Sequence, residues 1–164
     1  MDTTLSSYAT TTGNWIKIHY PGQGNASTDR VGDRARLSGL ELITVGSVVN
    51  IDYCRMIIVQ SKGILTTPPS TLDVLAYANP LSPIAYNAQN AYVVVLDKLF
   101  TYVPGGDTQV QKYTRTFAPP IKEARFIPST NNVYNGQLYY LTICSVASNT
   151  TVNGYLRLWF EDGN

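Results

Sequence analysis

Eight runs of extended, β-favouring residues succeed one another between residues 15 and 162, and no segment of helical length separates them. Such runs bury an apolar face only against a second sheet, so the chain reads as one all-β domain whose strands alternate between two layers. With 164 residues it is long enough to build a core without disulfide or metal staples. Antiparallel strands in this number admit a jelly roll, a Greek-key sandwich or an up-and-down barrel. Asn135-Gly136 and Asn153-Gly154 are short hairpin signals that would suit a meander. Most connections are long, however, and long crossings between sheets favour the jelly roll. The expectation is an eight-stranded antiparallel jelly-roll sandwich of two facing four-stranded sheets over residues 13–162. Residues 1–12, rich in Thr and Ser and without periodicity, are expected to form a flexible or edge-lying N-terminal segment.

The runs differ in how they distribute apolar side chains. In 15–20, Ile16, Ile18 and Tyr20 alternate with Trp15, Lys17 and His19, as in a half-buried strand. In 35–49, Leu40 and Leu42 share one face and Ile43 and Val45 the other, while Gly39 and Gly46 mark a bulge or bend. The runs 51–60 and 136–146 are apolar on both faces and belong at the centre of a sheet. Run 91–103 is the longest, and strict alternation sets Val93, Val95 and Leu99 beside Asp97, a carboxylate that needs a partner if buried. Run 110–118 has Tyr113, Arg115 and Phe117 on one side and stops at Pro119-Pro120. After the short run 122–127, residues 151–161 alternate, with Leu156, Leu158 and Phe160 inward and Tyr155, Arg157 and Trp159 outward. The long connection 61–89 has one helical hint, where Ser70 could cap a turn carrying Asp73 at its third position. Connections of that length usually carry function.

Charged side chains make up only 14% of the chain, against roughly a quarter in typical soluble proteins. Thr, Ser, Asn and 12 tyrosines take their place. A solitary β-domain ordinarily uses charge to keep its faces and edges from associating. The deficit therefore reads as a subunit whose exterior is covered by copies of itself, with a monomer of neutral polar surface as the plainer alternative. A net charge of +1 gives no global attraction to nucleic acid. No apolar run approaches the ~20 residues of a membrane-spanning helix. The first fourteen residues have neither the basic start nor the hydrophobic stretch of a signal peptide.

Residues able to do chemistry are few and scattered. His19 is the one histidine, and no nucleophile-elbow sequence accompanies it. Gly22-Gln23-Gly24 lacks the third glycine and the strand–helix setting of a dinucleotide site. Cys54 and Cys144, with one histidine, do not make a zinc site; lying inside strand-like runs, they are expected as buried free thiols or as a single disulfide. Asp29 and Asp33, beside Asn25, could gather calcium or pair with Arg30 and Arg34. The glycosylation sequons at Asn25 and Asn149 are read as chance matches in loops. Asp97 and Lys98 point to opposite sheet faces, so Asp97 is expected to meet an arginine of a neighbouring strand, Arg55 being the one chosen. No catalytic residue, cofactor or metal is assigned. Lys17, Arg30, Arg34 and Arg36 lie close in sequence and are candidate phosphate contacts, local pairing with Asp29 and Asp33 being the alternative. Tyr86, Tyr134 and Tyr155 are candidate subunit-contact residues, or platforms for sugar rings.

Several segments, taken in order, carry a family resemblance. They are Gln23-Gly24 with Asp29-Arg30-Val31-Gly32-Asp33-Arg34 leading into a strand; the run from Tyr53 to Val59 followed by Gly63 and Thr71-Leu72-Asp73-Val74-Leu75; Tyr92-Val93-Val94-Val95-Leu96-Asp97-Lys98; and the closing run from Tyr155 to Asp162. This series resembles the capsid proteins of circular, replication-initiator-encoding single-stranded DNA viruses, the circovirus-like group, across residues 13–162. The coats of small satellite RNA viruses share the same shell architecture. The resemblance implies a non-enzymatic jelly-roll coat protein, found in the virion, that self-assembles into an icosahedral shell of about sixty copies.

One departure qualifies what the resemblance implies. Coat proteins of that group commonly begin with a basic arm that gathers the genome, and residues 1–16 contain no Lys or Arg. About sixty copies at +1 each cannot neutralise a single strand of order a thousand nucleotides. The expected shell therefore holds little viral nucleic acid, and no membrane partner is expected. A lectin-like, carbohydrate-binding β-sandwich is the alternative from another functional class, supported by the tyrosine content and neutral surface.

Overall fold

A computed structural model describes residues 1–23, 32–65, 67–103, 109–128 and 130–162. The elements in chain order are β1 (Asp2–Tyr8), β2 (Asn14–Lys17), β3 (Arg34–Val48), β4 (Asp52–Ser61), α1 (Thr71–Val74), α2 (Ala88–Ala91), β5 (Tyr92–Tyr102), β6 (Gln109–Phe117), β7 (Glu123–Phe126), β8 (Val133–Asn135), β9 (Leu138–Cys144) and β10 (Thr150–Asp162). The strands form two antiparallel sheets. One runs β1-β10-β3-β7-β8 with β6 also paired to β3, and the other runs β2-β9-β4-β5.

Leu37, Leu40 and Leu42 of β3 and Leu156 and Leu158 of β10 meet Met56, Ile58 and Tyr140 of the smaller sheet in one core. The molecule is thus a β-sandwich. Each such aliphatic side chain contributes about 1.5–3 kcal/mol by leaving water. A second apolar layer lies on the outer face of the smaller sheet, where Ile57, Val59, Leu141 and Ile143 are covered by Val74, Leu75, Ala85 and Ala88 of the connection 62–91. That cover explains why β4 and β9 are apolar on both faces.

Arg55 ties the cover down. Its Nε and Nη2 donate to the two oxygens of Asp97 at 2.6 Å each, and its Nη1 donates to the carbonyls of Pro80, at 3.2 Å, and Ser82. This is the Asp97 partner expected from the sequence. The helical hint is also present as α1, where the Ser70 N–H donates to the Asp73 carboxylate at 2.7 Å.

Three register shifts occur among the described strands, and those on β3 and β5 set which residues face inward. Trp159 pairs with Gly39 and Phe160 with Leu37, which leaves Ser38 as the extra residue on β3. Burial therefore runs through Ala35 and Leu37, then shifts phase to Leu40, Leu42 and Thr44. On β5, Val95 is extra between Val94 and Leu96. Strict alternation had placed Val95 with Asp97; the bulge instead packs Val95 against the core and leaves Asp97 on the outer face with Arg55.

The strand count differs from the expected eight in two sheets of four. There are ten among the described residues, six and four, because β1 and β8 also pair. Of the two expectations for the N-terminal segment, residues 2–8 take the edge-lying one: they form the edge strand of the larger sheet, all seven pair with β10, and Leu5 enters the core. The longest strand is β3, at 15 residues, not the run beginning at 91. Cys54 and Cys144 are free thiols, opposite one another in β4 and β9.

Candidate functional site

The two ends of the sandwich differ in chemistry. One end gathers the C-terminal ends of β1, β3, β5 and β9 with the starts of β4 and β10. There Val49 is 69% and Ile51 60% exposed, and Tyr53, Val103 and Val146 are exposed with them. Among the described residues 9–13, 49–53, 103 and 145–149, the only charged side chain is Asp52, which is buried.

Asp52 explains why the turns show aliphatic groups outward. One carboxylate oxygen accepts from the Ser145 N–H at 3.0 Å, the Ser145 hydroxyl at 2.6 Å and the Val146 N–H at 3.2 Å. The other oxygen accepts from the Thr150 hydroxyl. Asn149 closes the facing turn reciprocally: its Oδ1 accepts from the Asn50 N–H and its Nδ2 donates to the Asn50 carbonyl, each at 2.9 Å. The polar groups of both turns engage one another, so Val49, Ile51 and Val146 are left facing water.

The opposite end is charged. Arg34 and Arg36 stand at the start of β3, where Arg34 pairs in register with Arg125 and Arg36 with Glu123. Glu123 holds the Arg125 guanidinium at 2.6 Å, and Arg36 lies 3.9 Å from Glu161. Of the candidate phosphate contacts, the fold thus brings Arg34 and Arg36 together, amid carboxylates. Lys17 belongs to β2 in the other sheet, where it lines a crevice of about 320 Å³ with His19 and Tyr20. Arg30 lies outside the described residues, as do Asn25 and Asp29 of the proposed calcium and ion-pair cluster.

The three candidate contact tyrosines occupy three separate surfaces. Tyr86, 92% exposed, stands on the connection over the smaller sheet. Tyr134 is half-buried in β8, beside Arg125. Tyr155 lies on the open face of the larger sheet, with the Arg157 guanidinium 5.3 Å from its ring centre. Arg157 in turn donates to both oxygens of Asp2 at 2.8 and 3.1 Å and reaches Glu41 at 3.8 Å.

That open face carries a feature the sequence reading left aside. Trp159, two residues beyond Arg157, is 40% exposed, and its ring lies so close over Gly39 that a Cβ there would overlap it. Ser38, Gly39, Thr116, Phe117, Ala118 and Trp159 line a groove of about 540 Å³. The signals for it were the outward phase of Trp159 and the bulge marked by Gly39, which only the register of β3 against β10 joins.

No family model matches the chain, and no curated protein matches its sequence.

Proposed function

We propose that this chain is a viral coat protein, a jelly-roll subunit that associates with copies of itself into a small closed shell and catalyses no reaction. The strand order supports the finer fold reading. With β7 and β8 taken as an excursion between β6 and β9, the sheets run β1-β10-β3-β6 and β2-β9-β4-β5. The chain then changes sheet at every step except β4 to β5, as two nested Greek keys require.

The observation that carries the functional reading is the uncovered apolar end, whose surface is uncharged among the described residues. Burying Val49 or Ile51 against a neighbour recovers about 1.5–3 kcal/mol per side chain. In a closed ring the same patch is buried in every copy, so the gain repeats around the symmetry axis. The absence of charge among the described residues there removes the repulsion that ordinarily keeps such ends apart. The opposite end mixes signs, in keeping with a shell that holds little nucleic acid.

Negative-stain microscopy of the purified protein tests the reading, with uniform round particles of small-virus size expected. The double variant V49D/I51D is expected to remain folded and to stop at monomers or small oligomers. Light scattering that finds only monomer at high protein and salt concentration would overturn the proposal. The groove at Trp159 favours the competing carbohydrate-binding reading, which saturable sugar binding by a protein that never forms particles would establish.

A further inference from the structure

We propose that the groove beside Trp159 holds one base of a single-stranded nucleic acid by stacking, on the open face of the larger sheet. The choice of a nucleic acid as natural ligand rests on the coat-protein reading, whereas the groove's chemistry argues for a flat aromatic ligand by itself.

The site is built by the backbone. The extra residue Ser38 bends β3 beneath Trp159, and Gly39 leaves room for the indole to lie against the strand. The smaller sheet has its outer face covered by the connection 62–91, whereas on the larger sheet Tyr155 and Arg157 are half-exposed and Trp159 exposed. The indole is thereby fixed at its foot and open above.

The lining selects among ligands. It offers one open aromatic ring, Trp159, two hydroxyls, Ser38 and Thr116, and, among the described residues, no carboxylate, amide or cation, while the Phe117 ring packs against the core. A sugar ring presents many directional hydroxyls, which neutral hydroxyls alone match poorly. A nucleobase presents a π-face, and stacking on an aromatic ring needs little else.

Cations stand on both sides along β10. Arg157 precedes Trp159 by two residues, about 6.6 Å along the strand. Arg36 pairs in register with Glu161, two residues beyond Trp159. Asp2 and Glu161, which pair with Arg157 and Arg36, are exposed carboxylates, and exposed pairs of this kind are weak enough for phosphate oxygens to displace; Arg157 keeps a longer contact to the half-buried Glu41 at 3.8 Å. Stacking supplies most of the affinity, and two phosphate contacts would give a shallow salt dependence, with a log–log slope of about −1.4.

The test is a titration of dye-labelled octadeoxythymidylate with the full chain, read by fluorescence anisotropy. Saturable binding is expected, weakened at least about tenfold in W159A and largely retained in W159F. An abasic oligomer of equal charge is expected not to bind. Equal binding of the abasic oligomer, unchanged affinity in W159A, or displacement by a neutral oligosaccharide would each overturn the proposal. The abasic comparison uses the unaltered protein and so does not depend on the variant folding. Microscopy of the same sample separates the two readings. Particles that bind no oligomer sink this inference alone, and binding without particles sustains the groove while removing the shell.

Discussion

Tyr140 points its hydroxyl into the core, where the oxygen has no hydrogen-bond partner. A buried polar group left unpaired costs free energy that its removal returns, so Tyr140→Phe is expected to raise stability by about 1 kcal/mol in denaturant titration. Arg55→Ala acts in the opposite sense, because it strands Asp97 and two carbonyls of the covering connection; a loss of about 3 kcal/mol is expected. Lysine should not rescue it, having no planar fork for both carboxylate oxygens. Alkaline pH supplies a third test. Burial pushes Cys54 up to about 12 and Cys144 up to about 11, from an ordinary thiol value of 9.0. Between 9 and those values the unfolded chain releases protons that the folded chain retains, so stability is complete below pH 9 and falls as pH rises toward 12. Denaturant midpoints at pH 8, 10 and 11 are expected to decrease in that order. The Arg55–Asp97 pair was legible in the sequence because a carboxylate on a half-buried strand demands a cation. The Asp52 network was not, since its donors Ser145, Val146 and Thr150 lie more than ninety positions away.

Elements with strong periodicity could be read directly: β2, β4, β9 and β10 alternate or saturate with apolar residues as their positions require. The two strands missed have weak local signals. β1 is a Thr- and Ser-rich segment that becomes a strand because β10 offers a seven-residue edge, and β8 is three residues long. Bulges are likewise set by pairing, since the extra residue on β3 or β5 exists only relative to its partner. One buried side chain holds the β7–β8 excursion in place. The Gln60 amide donates to the Ile121 and Gly136 carbonyls at 3.0 and 3.1 Å, and its oxygen accepts from the Ile121 N–H at 2.9 Å. Gln60→Ala is expected to cost about 2 kcal/mol and to raise amide hydrogen exchange in β7 and β8 ahead of β4.

At the scale of the whole molecule, the charge of the described residues is distributed unevenly: one end of the sandwich is aliphatic, and the other carries Arg34, Arg36 and Arg125 with Glu123 and Glu161. Composition announced the scarcity of charge, but only the register of the strands places Val49, Ile51, Val103 and Val146 at one end. Association through that end is expected to strengthen in ammonium sulfate, which favours apolar burial, and light scattering should rise with sulfate and fall on dilution into low salt. The covering connection has a different consequence. Arg55 clamps it at Pro80 and Ser82 and its apolar underside is anchored, yet at Gly63 an added side chain would meet nothing within 4 Å. Foreign peptide spliced in at Gly63 should therefore protrude without disturbing either sheet. Assembled into the proposed shell, such a scaffold would present its graft in the same orientation on every copy, which is what a multivalent immunogen needs.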